Sequence, residues 1–104
     1  MKELTVEELK SKIDNGEDFQ LIDVREEFEY EVSNLNGVNI PLADVVLEMD
    51  KISRDKPVVV HCRSGKRSAQ AIFLLEQEGY DNLYNLKGGI LAWRDAFDPD
   101  MQVY

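Results

Sequence analysis

The residues best suited to chemistry lie in one run, Val58-Val59-Val60-His61-Cys62-Arg63-Ser64-Gly65-Lys66-Arg67-Ser68, and Cys62 is the only cysteine of the chain. Val58 to His61 is short, continuous and rich in β-branched residues, the mark of a buried strand. Such a strand delivers Cys62 to its C-terminal end, where open α/β sheets bind ligands. Gly65 lets the following loop turn tightly, so that successive backbone N–H groups converge on an anion. The helix that comes next adds unpaired N–H groups and partial positive charge at its N-terminus. Arg63, Lys66 and Arg67 add full charges. Each feature favours a thiolate over a thiol, and the thiolate is the nucleophile. An inert buried cysteine is the alternative for any lone thiol; the strand end and the basic loop argue against it. His61 adjoins Cys62 in a strand, where neighbouring side chains face opposite ways. It is expected to be structural rather than the base of a Cys–His pair.

The elements that must position this loop alternate between strand and helix. Thr5-Val6-Glu7-Glu8 has the form of a capping box, Leu9 and Ile13 share a face, and Asn15-Gly16 ends the helix. Phe19 to Val24 reads as a buried strand. Glu26 to Glu31 reads as a short helix with Phe28 and Tyr30 as its large side chains, and Gly37 to Ile40 as a short strand stopped by Pro41. Leu42, Val45, Val46 and Met49 follow the spacing of a helix, broken at Lys56-Pro57. Ser68 to Gly79 reads as a helix burying Ala69, Ile72, Phe73 and Leu75, and Asn82 to Leu86 as a last strand. Gly88-Gly89 precedes a final helix through Trp93, a core residue, and Phe97. The alternation predicts a mostly parallel sheet with helices on both faces, in a single domain over residues 1–104. Asp23 and Arg25 lie two apart at a strand end, on one face. They read as support for the loop through an ion pair, with direct ligand contact as the alternative.

Composition bounds the function. The chain has 104 residues, 43% of them hydrophobic, and a net charge of −9. That charge argues against general binding to nucleic acid or an anionic membrane. No apolar run approaches the roughly 18 residues that span a bilayer, and the opening residues lack the apolar stretch of a secretory signal. A cytoplasmic protein is the expectation. One cysteine allows no internal disulfide and no cysteine-based zinc site, so no metal or other cofactor is expected. Against the acidic background, residues 51–68 hold six basic side chains and one acidic one. A positive patch around the thiol points to a small anionic substrate.

Taken with Leu21-Ile22-Asp23-Val24-Arg25-Glu26, Asn39-Ile40-Pro41-Leu42 and Leu86-Lys87-Gly88-Gly89 with Trp93, the cysteine run resembles the rhodanese-like sulfurtransferase domains. The four segments occur in the right order along nearly the whole chain. The resemblance implies a parallel five-stranded sheet flanked by helices on both faces. It also implies transfer of sulfane sulfur, from thiosulfate or a persulfide donor to a thiophilic acceptor, through a persulfide on Cys62. The loop residues Arg63, Ser64, Gly65, Lys66, Arg67 and Ser68 would bind the sulfur and its donor, with Arg67 the first candidate for the donor's anionic end. Asp23 and Arg25 would support the loop, and Gly88-Gly89 would pack closely against it. Ser33-Asn34-Leu35-Asn36-Gly37 replaces a histidine-containing stretch that many members carry. Asn34-Leu35 and the ending through Trp93, Asp98-Pro99 and Tyr104 are similar to rhodanese domains fused to activating enzymes of ubiquitin-like sulfur carriers. A cysteine desulfurase or a ubiquitin-like sulfur-carrier protein is the corresponding partner.

The rival activity is that of a cysteine-dependent phosphatase or arsenate reductase. Its signature places five residues between cysteine and arginine, whereas four separate Cys62 from Arg67. A smaller ring of N–H groups suits one added sulfur atom better than a tetrahedral oxyanion. A non-catalytic interaction module is the second rival, and the retained cysteine speaks against it.

Overall fold

The strand that carries the cysteine, β4 (Val58–His61), is buried along its whole length at the centre of a parallel sheet. The computed structural model describes all of residues 1–104. The other strands are β1 (Glu3–Leu4), β2 (Gln20–Asp23), β3 (Val38–Asn39) and β5 (Leu83–Leu86), in the order β1-β5-β4-β2-β3. Every neighbouring pair is parallel, as the alternation of elements predicts. β2 runs beside β4 with Asp23 opposite His61, and β5 lies on the other side with Asn85 opposite Val60.

Strand alternation divides the core in two. Val58, Val60 and Cys62 face one layer with Ile22, Val24 and Leu83, packed against Ala71, Ile72 and Leu75 of α3 (Lys66–Gln77). Val59 faces the other way, toward Leu9 of α1 (Val6–Asp14) and Leu86, with Trp93 and Phe97 of α4 (Gly89–Phe97) alongside. The helix α2 (Glu27–Val32) lies between β2 and β3 in the chain.

The capping box of α1 forms as expected. Thr5 Oγ1 accepts from Glu8 N at 3.1 Å, and Glu8 Oε1 accepts from Thr5 N at 3.0 Å. Ile13, expected to share the buried face of Leu9, is exposed at the helix end. Glu3–Leu4 forms an unforeseen edge strand on β5; two residues are too short a segment to show a period.

Two further expectations are corrected. Residues 42–51 do not form an α-helix but two 3-10 turns, Leu42–Asp44 and Met49–Lys51. Adjacent β-branched Val45 and Val46 disfavour a regular helix, and burial of Val45 and Ile52 fixes the path instead. The second correction concerns α3. It starts at Lys66, two residues before the expected Ser68, and Ser68, Ala71, Ile72 and Leu75 are its buried residues. Phe73 is exposed and Ala69 half-buried. Once Ser68 faces Cys62, helical spacing sends Phe73 to the far side. In α2 the buried side chain is Glu29, while Phe28 meets the Tyr104 ring edge-on at 4.7 Å. Trp93 is half-buried, edge-on to Phe97.

Candidate active site

Cys62 follows the last residue of β4 and is 1% exposed, beneath the loop that turns into α3. Gly65 is the N-cap residue of α3, with φ +112°, a left-handed conformation that glycine adopts at little cost. That turn puts Gly65 N–H 3.1 Å from Sγ. Ser68 Oγ, from the first turn of α3, lies 3.4 Å from Sγ. Burial pushes the Cys62 thiol up. The backbone N–H groups of Ser68, Gly65 and Ser64 pull it the other way, and the thiol lies below its ordinary value.

The N–H groups point at the sulfur because the carbonyls behind them are held elsewhere. The carbonyl oxygen of Cys62 accepts from Ile90 N at 3.0 Å, and that of Arg63 accepts from Leu91 N at 3.2 Å. These donors are in the first turn of α4, where N–H groups lack partners within the helix. A trans peptide plane carries its C=O and the next N–H in opposite directions. Fixing the Arg63 carbonyl against α4 therefore aims Ser64 N–H back toward the sulfur.

Gly89 permits this approach. A Cβ there would lie 2.6 Å from the Cys62 carbonyl oxygen and closer still to the Arg63 carbonyl, and its φ is +61°. Gly89→Ala is expected to cost about 2–4 kcal/mol, from the left-handed backbone and the overpacking together. It should also slow alkylation of Cys62 by displacing the loop. Urea denaturation and iodoacetamide kinetics check both; unchanged values for both would show that the loop tolerates a side chain there.

Arg67 extends to α2 and forms a two-pronged ion pair with Glu29, at 2.6 and 2.9 Å. The Arg67 hydrogen bond holds the Glu29 carboxyl below the usual carboxylate range, and Glu29 in turn raises Arg67. Arg63 is exposed, and its Nε donates to the Tyr104 carbonyl oxygen at 2.9 Å. Lys66 and Ser64 are exposed.

Asp23, Arg25 and His61 gather on the opposite face of the sheet from the thiol, all fully buried. Arg25 Nη2 is 2.8 Å from Asp23 Oδ2, and Arg25 Nε and backbone N both donate to Asp23 Oδ1 at 3.0 Å. Arg25 Nη2 also donates to the Ser33 carbonyl oxygen at 2.8 Å. His61 Nε2 is 3.6 Å from Asp23 Oδ2, and its Nδ1 is 3.4 Å from the Cys62 carbonyl oxygen. Burial holds the imidazole below its ordinary value, against the pull of Asp23. The Asp23–Arg25 ion pair is formed at the end of β2, across the sheet from the sulfur, and Arg25 ties it to the Ser33 carbonyl.

Two residues of this arrangement were not singled out from sequence. Glu29 fixes Arg67. Asn85 of β5 accepts from Ser68 Oγ at 2.6 Å and donates to the Gly65 carbonyl oxygen at 3.2 Å. An asparagine between apolar neighbours in a predicted strand is a detectable signal, because strands disfavour it.

Comparison with known proteins bears on the family and the fold. The family model described as "Rhodanese-like domain" matches residues 5–96. A sulfurtransferase of Allochromatium vinosum is 36% identical over 94 residues, which are 89% of this chain and 88% of that protein. The probable adenylyltransferase/sulfurtransferase MoeZ of Mycobacterium tuberculosis is 31% identical over 104 residues. The match takes in 97% of this chain but only 26% of MoeZ. Among solved structures, a rhodanese-related protein from Thermoplasma volcanium superimposes with a TM-score of 0.79 at 30% identity, covering 100% of this chain and 98% of its own. The parallel sheet, the cysteine loop at its centre and a family match along most of the sequence lead to one assignment: this chain belongs to the rhodanese-like domain family.

Proposed function

We propose that the domain is a sulfurtransferase that carries sulfane sulfur as a persulfide on Cys62. The observation that supports this most directly is the cradle: backbone N–H groups directed at a buried sulfur, in a loop with four residues between Cys62 and Arg67. In the first step the Cys62 thiolate attacks the outer sulfur of thiosulfate or of a persulfide donor. The new S–S bond forms as the donor's S–S bond breaks, and sulfite or a thiolate leaves with the electron pair. In the second step an acceptor nucleophile takes the terminal sulfur, and the Cys62 thiolate leaves. The loop N–H groups hold the negative charge that collects on the terminal sulfur. The chain has no second cysteine, so the acceptor comes from outside. The sequence therefore implies two half-reactions with alternating substrates.

Arg67 meets an anionic donor only through N–H groups that Glu29 leaves free; the exposed Arg63 and Lys66 supply the remaining attraction. The same ion pair weighs against a phosphatase. The guanidinium fork that would hold a tetrahedral oxyanion is taken by Glu29. Glu29, kept ionised by Arg67, has no proton to give a leaving group. The protein donor or acceptor we propose is a cysteine desulfurase or a ubiquitin-like sulfur-carrier protein, in a soluble, cytoplasmic setting. No helix of the structure is long and apolar enough to cross a membrane.

The test is an intact mass spectrum of the reduced protein after brief exposure to thiosulfate and, separately, to a low-molecular-weight persulfide. The expected product is an added mass of one sulfur atom, removed by cyanide. Absence of the adduct with both donors would overturn the reading, and loading by the persulfide alone would restrict the donor to that class.

A further inference from the structure

Ser68 and Asn85 are both buried beside Cys62, and their hydrogen bonds settle where one proton points. Asn85 Nδ2 lies 3.2 Å from the Gly65 carbonyl oxygen. A carbonyl only accepts, so the amide presents its nitrogen to Gly65 and its oxygen to Ser68. That oxygen also only accepts. Ser68 Oγ, at 2.6 Å, must therefore donate to it. A serine hydroxyl has a single proton. Toward Sγ, 3.4 Å away, the Ser68 oxygen is left as an acceptor from the thiol S–H.

Loss of the thiol proton breaks this arrangement. Ser68 either keeps its bond to Asn85 and turns lone pairs toward a sulfur anion, or swings to the sulfur and strands the buried Asn85 oxygen. Both are unfavourable. We propose that Asn85 is a positioning residue that withholds the Ser68 hydroxyl proton from Cys62, leaving the loop's backbone N–H groups as the donors to negative charge. This rests on reading Cys62 as the sulfur carrier. It has a direct chemical meaning for that role. In a persulfide the inner sulfur is divalent and neutral and needs no donor, while the charge sits on the terminal sulfur. The Ser68–Asn85 pair restrains the empty thiolate and leaves the loaded cysteine undisturbed.

The charged and titratable groups around the thiol are Arg67 of α3 with Glu29 of α2, the exposed Arg63 of the loop and Lys66 at the start of α3, and, across the sheet, Asp23, Arg25 and His61. None is altered in the following test. The pH profile of iodoacetamide alkylation is measured for the wild-type protein, Ser68→Ala, Asn85→Leu and the double variant. Asn85→Leu frees the hydroxyl to donate to sulfur, and the midpoint should fall by about one pH unit, raising the thiolate fraction about tenfold at low pH. Ser68→Ala should leave the midpoint at or below the wild-type value. Asn85→Leu should add no further shift in the Ser68→Ala background. A midpoint raised by Ser68→Ala overturns the proposal, because Ser68 would then be donating to the thiolate. So does an absent Asn85→Leu shift, or one that persists without Ser68. If Asn85→Leu fails to fold by circular dichroism, Ser68→Ala decides alone. Alkylation reads the cysteine whether or not sulfur is transferred. The expected midpoints in a protein that forms no persulfide would overturn the sulfurtransferase reading while leaving the hydrogen-bond assignment intact.

Discussion

Cys62→Ser should reduce sulfur transfer from thiosulfate to cyanide to the uncatalysed rate, with the domain still folded. The two halves of this expectation have separate causes. A serine hydroxyl is not ionised at neutral pH and does not attack divalent sulfur, so no covalent intermediate forms. The smaller oxygen still meets Gly65 N–H and the Ser68 hydroxyl, two of the groups that contact Sγ in the native protein. A buried hydroxyl with partners costs about 1 kcal/mol or less, far below the margin of a domain this size. Thiocyanate release measures the first half and thermal unfolding followed by circular dichroism the second. Transfer retained in the variant would take Cys62 out of the mechanism. Loss of fold would mean that the thiol is a structural element of the core.

A second large effect is expected from Asp23→Ala, and it falls on stability. Arg25 has no exposure, and Asp23 is its ion-pair partner at 2.8 Å. Removing one member of a buried pair leaves an uncompensated charge, at a cost of about 3–5 kcal/mol. The backbone N–H of Arg25 also loses its acceptor. That is a large part of the about 5–15 kcal/mol that holds a domain together. Substituting both residues, Asp23→Val with Arg25→Leu, should recover much of the loss, because an apolar pair leaves no stranded charge. Urea denaturation of the three proteins measures it. A loss below about 1 kcal/mol for the single change would show that water reaches Arg25 on loss of its partner.

The sequence carried the order of elements and the position of the reactive residue because both depend on local signals. Val58 to His61 declares a buried strand by β-branching, Thr5 and Glu8 declare a helix start, and Gly65 marks the turn behind Cys62. The Asp23–Arg25 pair was legible from the two-residue period of a strand. What could not be read depended on distant parts of the chain. Nothing near Arg67 announces that Glu29, 38 residues earlier, takes its guanidinium. Nothing near Ser68 announces Asn85, brought beside it by strand order. The two-residue strand at Glu3–Leu4 exists only because β5 is there to pair with it. The 42–51 segment misled for a different reason: its apolar spacing is helical, but its β-branched pair and the burial of Val45 favour tighter turns.

The dependence of the cysteine loop on α4 sets when in the life of the chain the thiol can become reactive. The carbonyls of Cys62 and Arg63 are held by N–H groups of Ile90 and Leu91, and β4 is sealed on one side by β5. A nascent chain emerges N-terminus first, so β2, β3 and β4 are made before either of those clamps. Until residues beyond Leu91 have emerged, the Ser64 peptide is free to rotate and its N–H is not aimed at sulfur. A growing chain therefore exposes a cysteine whose cradle still lacks the Ser64 N–H. Activation arrives with the last helix, as part of the closing step of folding.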